Sequence, residues 1–135
     1  MKEKYIDAYM DMAVRFGETS TANRLKVGAL IVKDDFIISH GCNGQPPGWE
    51  NEVCEDEHHK TLPTVRHAEE AALQKLWNSH ETARGSYMFV SHCPCLNCAI
   101  KIKTAGITKV FYRNVYRTTD GLDYLNEKGI LVRKV

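Results

Sequence analysis

The sequence predicts an α/β fold in which helices pack on the faces of a mixed β-sheet. Two apolar segments separated by a short polar turn indicate a β-hairpin, and the rest of the chain alternates between helical and strand patterns. This order favours one sheet with both antiparallel and parallel neighbours. The length of 135 residues is typical of one domain, so we expect a single domain over residues 1–135.

The first third of the chain predicts one helix followed by the hairpin. Residues 2–19 carry apolar side chains at helical spacing, and Gly17 marks the end of the helix. Val27–Val32 is short, apolar and partly β-branched, which is typical of a buried strand. An Asp-Asp turn follows, and Phe36–Ser39 is the expected return strand.

A polar stretch between residues 43 and 63 separates the hairpin from the second half of the chain. Loops of roughly twenty residues inside a compact domain are usually functional or disordered. Beyond this loop, the composition predicts three helices that alternate with three strands. In chain order these six elements are Ala68–Trp77, Tyr87–Val90, Ala99–Ala105, Val110–Tyr112, Leu122–Lys128 and Ile130–Val132.

Composition and charge exclude several classes of protein. The 18 Lys and Arg residues nearly balance the 17 Asp and Glu residues, giving a net charge of +1. This balance excludes a strongly basic nucleic-acid binder and an acidic disordered tail. No apolar window is long enough for a membrane-spanning helix, and the N-terminus lacks the apolar core of a signal peptide. We therefore expect a cytoplasmic protein with neither a membrane nor a nucleic-acid partner.

The five cysteines are the first sign of specific chemistry. Three of them, Cys93, Cys95 and Cys98, fall within six residues. An odd number of cysteines without a secretory signal favours metal ligation over a disulfide framework. Cys42 and Cys93 are expected to be buried or half-buried thiols.

Two short motifs predict a metal centre. His67 and Glu69 lie at the start of one predicted helix, and Cys95 and Cys98 lie at the start of the next long helix. Successive helices of a βαβ unit begin at the same edge of the sheet, so both motifs can meet at one ion. A helix N-terminus also favours the thiolate that zinc requires. Three protein ligands leave one open position, as in catalytic zinc sites, and Glu69 is free to move protons.

A structural zinc site is the alternative interpretation, with His92 or Cys93 as the fourth ligand. A His-x-Glu motif alone is common, and a lone Cys-x-x-Cys motif is also found in redox and structural sites. The order of the two motifs across one strand, together with Glu69, favours the catalytic interpretation.

The two motifs match the His-x-Glu…Pro-Cys-x-x-Cys signature of zinc-dependent nucleobase deaminases. The chain resembles the cytidine deaminase-like superfamily, and most closely its deoxycytidylate (dCMP) deaminases, including phage-type forms. The resemblance implies a three-layer α/β/α sandwich on a five-stranded mixed sheet whose last strand is parallel to its neighbour. The segments that carry it are Val27–Ala29, Gly41–Gly48, His67–Glu69, Ser91–Ala99 and Ala105–Ile107.

The resemblance implies hydrolytic deamination of dCMP to dUMP and ammonia, a reaction that feeds thymidylate synthesis. One Zn²⁺ ion would be held by His67, Cys95 and Cys98, and Glu69 would transfer protons as the catalytic residue. Two departures concern details of the substrate site. The family often has two consecutive arginines before Val-Gly-Ala, where this chain has only Arg24, and this chain has an alanine where the family often has Asn two residues after the glutamate.

Substrate contacts are also implied by the resemblance. The amide of Ala68 and the carbonyl of Ser91 would contact the edge of the base, and Asn43 would hold the sugar and base. For Asn43 a turn role before Gly44 is a strong alternative, because Asn-Gly is itself a turn signal.

Two further pairs of residues are candidates for contacts with a nucleotide. Arg24 and Lys26 alternate with apolar neighbours, so both side chains are expected to point the same way and could bind a 5′-phosphate. A solvated face is equally consistent with this pattern. Tyr116 and Arg117 follow the fourth strand, at the edge where α/β sheets bind ligands. They could close over substrate, read a regulatory nucleotide or form plain surface.

Cys54, His58 and His59 could form a second zinc site that fixes the long loop, as in some relatives, although no fourth ligand is obvious. The resemblance also implies a homo-oligomer, commonly a hexamer, and in some members regulation by dCTP and dTTP with Mg²⁺. A phage-encoded member would act in the host cytoplasm.

Three other functions share some of these features. A tRNA or nucleobase deaminase of the same superfamily would be expected to show a basic surface. A cytidine deaminase for free nucleosides more often has Cys in place of His67. A catalytically inactive, zinc-stabilised binding module would not need Glu69.

Overall fold

The computed structural model describes residues 1–135 and has a five-stranded sheet at its centre. The strands are β1 (Gly28–Lys33), β2 (Phe36–Cys42), β3 (Tyr87–His92), β4 (Lys109–Asn114) and β5 (Leu131–Lys134). They lie in the order β2-β1-β3-β4-β5. β1 is antiparallel to β2 and β3, whereas β3, β4 and β5 run parallel. The mixed sheet with a parallel last strand is therefore confirmed.

Four helices form the outer layers of the sandwich. They are α1 (Glu3–Gly17), α2 (Ala68–Lys75), α3 (Leu96–Thr104) and α4 (Asp120–Glu127), with a short 3₁₀ turn at Leu76–Asn78. Helix α1 packs on one face of the sheet, and the other three helices pack on the opposite face. None of the helices is long and apolar enough to cross a membrane. The predicted α/β/α arrangement is confirmed.

The core consists of two apolar clusters, one on each face of the sheet. In β1, Leu30 and Val32 face α1, whereas Ala29 and Ile31 face the opposite helical layer. Strands covered on both faces must be apolar at nearly every position. This explains why β1 is a continuous apolar run in the sequence rather than an alternating one.

Helix α1 approaches the start of β1 so closely that only glycine fits there. A Cβ atom added to Gly28 would lie 1.9 Å from the carbonyl oxygen of Ala13 and 2.5 Å from the amide nitrogen of Gly17. The Gly28 N–H donates to Ser91 Oγ at 3.1 Å. Gly28 therefore sets the distance between α1 and the sheet and joins β1 to β3.

The hairpin between β1 and β2 follows the predicted turn. Asp34 and Asp35 both have positive φ, at 51° and 63°, as a two-residue type I′ turn requires. Strand β2 continues to Cys42, beyond the predicted end at Ser39. The extension adds residues that pair with β1 as far as Gly28.

Helix boundaries differ from the prediction near the cysteine motif. Helix α3 begins at Leu96, earlier than the predicted Ala99, because Cys95 is its N-cap and its Sγ accepts from the Cys98 N–H at 3.4 Å. Helix α2 ends at Lys75, and the chain continues as the 3₁₀ turn rather than as α-helix to Trp77.

The close packing at Gly28 generates a stability prediction. We expect Gly28→Ala to lower the free energy of unfolding by about 1–3 kcal/mol, because backbone atoms of α1 would have to shift. Gly44→Ala is the matched control, since nothing lies within 4 Å of a Cβ at that position. Urea unfolding of both variants measures the difference. Equal midpoints for the two variants would contradict the packing argument.

Candidate active site

One cavity of about 280 Å³ opens where α2 and α3 begin. Its lining includes the start of α2 at His67, Ala68 and Glu69, and the start of α3 at Cys95. The end of β3 contributes His92 to the same wall. The remaining lining comes from the chain before β1, the long loop and the segment after β4. The cavity therefore brings together residues of both predicted motifs.

The three predicted ligands lie close together, and two of them, His67 and Cys95, line the cavity. His67 Nδ1 lies 3.2 Å from Cys98 Sγ and 3.6 Å from Cys95 Sγ. All three ligand atoms lie within 4.8 Å of one another, and no other group of three such residues in the structure does so. His67 and Cys95 precede the first residues of α2 and α3, so two helix N-termini bring the three atoms together.

The donor set fits zinc. A tetrahedral Zn²⁺ with Zn–S of about 2.3 Å and Zn–N of about 2.0–2.1 Å holds its nitrogen and sulfur ligands about 3.5 Å apart. The two nitrogen–sulfur distances of 3.2 and 3.6 Å lie close to this value. Imidazole and thiolate together are ligands that zinc prefers. These side chains could therefore hold one zinc ion with one position left open.

The protonation of the two thiols is uneven. Contacts with Cys98 and His67 lower the pKa of Cys95 to about 4, whereas contact with Cys95 and burial raise the pKa of Cys98. The Cys95 contact also raises the pKa of His67. The negative charge of this group therefore favours Cys95, and a metal ligand at Cys98 would have to lose its proton on binding the ion.

Glu69 is a buried carboxyl group beside this cluster. Its side chain is 4% exposed and lines the cavity. Burial raises the pKa of Glu69 to about 7, although its own amide and His67 act in the opposite direction. A carboxyl group with a pKa near neutrality can both accept and donate protons at physiological pH.

A link between α2 and α3 holds the ligand cluster and was not foreseen from the sequence. Glu70 Oε1 accepts from the His67 N–H at 3.2 Å, and Glu70 Oε2 accepts from Lys101 Nζ at 2.7 Å. One carboxylate therefore joins the helix that carries His67 to the helix that carries the cysteines. The acidic residue in the first turn of α2 was the available signal.

The side chain of Asn43 forms two hydrogen bonds with the main chain. Its Oδ1 accepts from the Val27 N–H at 2.9 Å, and its Nδ2 donates to the Leu25 carbonyl at 2.7 Å. Asn43 also lines the cavity. Its side chain therefore fixes the chain before β1, and one N–H and one lone pair remain for a ligand.

The two predicted base contacts differ in position. Ala68 lines the cavity at the first residue of α2, where amides lack an intrahelical partner. Ser91 is buried and does not line the cavity; its carbonyl accepts from Asn114 Nδ2 at 3.0 Å. His92, which is next in sequence, does line the cavity and was predicted only as a structural ligand.

The structure separates the two residues Arg24 and Lys26, which were expected to point the same way. Arg24 lines the cavity together with Leu25 and Val27, whereas Lys26 does not. The chain bends at Asn23 and Arg24 and is not yet a strand at Lys26. The alternation assumed for an extended strand therefore does not apply to this pair.

The segment after β4 also contributes to the lining of the cavity. Tyr116 and Arg117 both line the cavity, and Arg117 adopts a positive φ of 63°. Cys93 holds this segment: its Sγ accepts from the Tyr116 N–H at 3.3 Å and lies 3.6 Å from the Thr118 carbonyl oxygen. The His92 and Tyr116 rings meet edge to face at 6.3 Å.

The predictions for the other cysteines concern burial and a second zinc site. Cys93 is buried and Cys42 half-buried, as expected. Cys54 is buried, with its Sγ 3.4 Å from Thr21 Oγ1, whereas His58 is exposed and pairs with Glu57. Cys54, His58 and His59 do not form a ligand group. The second zinc site is therefore not supported.

Comparison with known proteins agrees with this geometry. Residues 3–114 match the model of the cytidine and deoxycytidylate deaminase zinc-binding region. The crystal structure of a dCMP deaminase from the cyanophage S-TIM5 in complex with dCMP and dUMP is 45% identical, with a TM-score of 0.97 over all of this chain and 99% of the other.

Two curated relatives are more distant in sequence. An uncharacterized deaminase of Aliivibrio fischeri is 35% identical, covering 95% of this chain and 84% of its own length. The deoxycytidylate deaminase of Saccharomyces cerevisiae is 29% identical, and the match covers 99% of this chain but 46% of the yeast protein. The family model, the fold and the His-Cys-Cys cluster agree, and the chain belongs to the cytidine and deoxycytidylate deaminase family.

Proposed function

We propose that the protein deaminates dCMP hydrolytically, giving dUMP and ammonia, within one deaminase domain over residues 1–135. The observation that carries the proposal is the cluster of His67, Cys95 and Cys98 next to a cavity that the buried Glu69 also lines. The similarity to a cyanophage enzyme solved with dCMP and dUMP supports this substrate. Initial rates with dCMP, CMP, deoxycytidine, dCTP and adenosine test it, and dCMP is expected to be the best substrate.

His67, Cys95 and Cys98 would hold one zinc ion, as their spacing and donor types support. Zinc, when bound, supplies a Lewis acid that lowers the pKa of water to about 7. The protein contributes the geometry, because the N-termini of α2 and α3 fix the three ligand atoms. It also contributes the negative charge, since the pKa of Cys95 is lowered to about 4.

Glu69 is the proposed proton carrier. It takes a proton from the attacking water and delivers it to N3 of the cytosine ring. It then takes the proton of the new hydroxyl group on C4 and delivers it to the amine, which leaves as ammonia as the C4–N bond breaks and the C4 carbonyl forms. Its burial raises its pKa to about 7, so the carboxyl group can release a proton as readily as it accepts one. The free Ala68 N–H beside it is positioned to donate to the base edge.

The phosphate is proposed to lie between two arginines. Arg24, before β1, and Arg117, after β4, both line the cavity, and a guanidinium group suits a phosphate through paired N–H donors. Arg113, on β4, does not line the cavity and pairs with Asp11 at 2.9 Å. Asn43 retains one N–H and one lone pair for the sugar or base.

Further expectations from the resemblance remain predictions. They are a homo-oligomer, commonly a hexamer, regulation by dCTP and dTTP with Mg²⁺, and a cytoplasmic location. A tRNA or nucleobase deaminase activity is tested by the adenosine arm of the substrate panel. An inactive binding module is tested by release of ammonia.

We expect Cys98→Ala to lose most of the bound zinc, because the variant removes a buried ligand from a three-ligand site. Cys93→Ala is the matched control, since Cys93 contacts the segment at Tyr116 and is not in the ligand group. Elemental analysis should give about one zinc per chain for the wild type and for Cys93→Ala. If Cys98→Ala kept its zinc and Cys93→Ala lost it, the ligand assignment would be wrong.

We expect Glu69→Gln to keep its zinc and its fold but to lose turnover. A general acid–base group typically contributes 10²–10⁴-fold, and Glu69 serves several proton transfers, so the loss should reach or exceed about 10⁴-fold. Steady-state kcat on dCMP measures the loss, with zinc content as the control. A variant that keeps a tenth of wild-type kcat would exclude the proton-carrier role.

We expect Arg24→Ala and Arg117→Ala to reduce kcat/KM for dCMP by roughly 30-fold or more, because each would leave phosphate charge unpaired. Deoxycytidine lacks the phosphate, so its rate should hardly change. Lys103→Ala, which removes an exposed positive charge on α3, is the matched control. If kcat/KM fell equally for dCMP and deoxycytidine, the arginines would have structural roles instead.

A further inference from the structure

The wall of the cavity that carries Arg24 has no regular secondary structure. Residues 20–27 form neither helix nor strand. Side chains accept from the main-chain N–H groups of Ala22, Asn23, Arg24 and Val27. Asn43 holds Leu25 and Val27, and the hydroxyl of Ser20 accepts from the Ala22 N–H at 3.1 Å. The conformation of this wall therefore depends on the side chains that bind it.

Glu55 supplies the contacts to the centre of the wall. Its carboxylate oxygens Oε1 and Oε2 both accept from the Asn23 N–H at 3.1 Å, and Oε2 accepts from the Arg24 N–H at 3.3 Å. Glu55 is 8% exposed and also lines the cavity. Thr21 adds a second link to the same loop, because its Oγ1 donates to the Glu52 carbonyl at 2.7 Å.

No cation neutralises this carboxylate. Glu55 takes part in none of the ion pairs of the structure, which extend to 4.0 Å. Arg24 donates its main-chain N–H to Glu55 and also lines the cavity. A buried carboxylate is costly unless it is paired or hydrogen-bonded, so the Asn23 and Arg24 amides are its stabilising partners.

The segment that carries Glu55 is a turn stabilised by its own hydrogen bonds. The Leu62 N–H donates to the Cys54 carbonyl at 2.8 Å, and the Asp56 N–H donates to the Lys60 carbonyl at 2.8 Å. Asp56 Oδ1 also accepts two main-chain N–H groups inside the turn. Glu55 therefore projects from a turn with its own hydrogen bonds, which suits it to fix a less regular neighbour.

We propose that Glu55 is a positioning residue that holds the main chain at Asn23 and Arg24, so that Arg24 is presented to the phosphate of the substrate. The proposal rests on the proposed function, in which Arg24 binds that phosphate. Glu55 touches no reacting atom in this role. Its loss should therefore weaken binding of a phosphorylated substrate while leaving the chemistry of the base unchanged.

The test compares Glu55→Gln with Glu57→Gln. Glu57 lies in the same turn and loses the same charge, but it is exposed and contacts only His58. For each variant, KM and kcat are measured with dCMP and with deoxycytidine. Hydrogen exchange of the Asn23 and Arg24 amides is followed, and zinc content is determined. If Glu55→Gln does not fold, Glu55→Asp is measured in the same way.

We expect Glu55→Gln to speed exchange at Asn23 and Arg24 and to raise KM for dCMP about 10-fold or more, with kcat within about threefold of wild type. Kinetics with deoxycytidine and zinc content should stay unchanged, and Glu57→Gln should match the wild type. Unchanged exchange, or equal losses for the two substrates, would overturn the positioning role. If the wild type converts neither substrate, the proposed function fails, while the exchange result still decides whether Glu55 holds the wall.

Discussion

The meeting of two helix N-termini at one sheet edge is the constraint on which the site depends. His67 caps α2 and Cys95 caps α3, and the strand between these helices fixes their separation. The dipole at a helix N-terminus favours the thiolate form of cysteine. The helix N-termini therefore both place the ligand atoms and favour their negative charge. The single carboxylate of Glu70 then joins the two helices through the His67 main chain and Lys101. The metal-binding geometry is thus a property of the sandwich itself.

Much of this framework could be predicted from the sequence because its signals are local. Apolar runs at β1, β3 and β4 and helical spacing in α1 gave the elements and their order, and the two motifs gave the three ligand residues. The predicted ends of elements were wrong where a contact between distant residues determines the end. Strand β2 runs on to Cys42 because its last residues pair with β1 as far as Gly28, and neither partner alone carries that information.

The substrate end of the cavity left almost no local signal. Arg24 and Lys26 were expected to share a face because an extended strand was assumed, but the chain bends at Arg24 and only that residue lines the cavity. The bend is held by Asn43 and Glu55, which are 16 to 32 residues away from the amides that they bind. A carboxylate in a polar loop looks like solvated surface until the fold brings it against main-chain N–H groups.

Two buried carboxyl groups in the same cavity illustrate how position decides role. Glu69 lies in the first turn of α2, where burial raises its pKa to about 7 and makes its proton transferable. Glu55 is almost as buried, but its carboxylate accepts three N–H···O contacts from the main chain of Asn23 and Arg24. These contacts replace the solvent lost on burial. One carboxyl group is therefore left free to react, while the other is committed to the main chain. The difference arises from the hydrogen-bond donors that the fold brings to each group, since the two side chains are chemically identical.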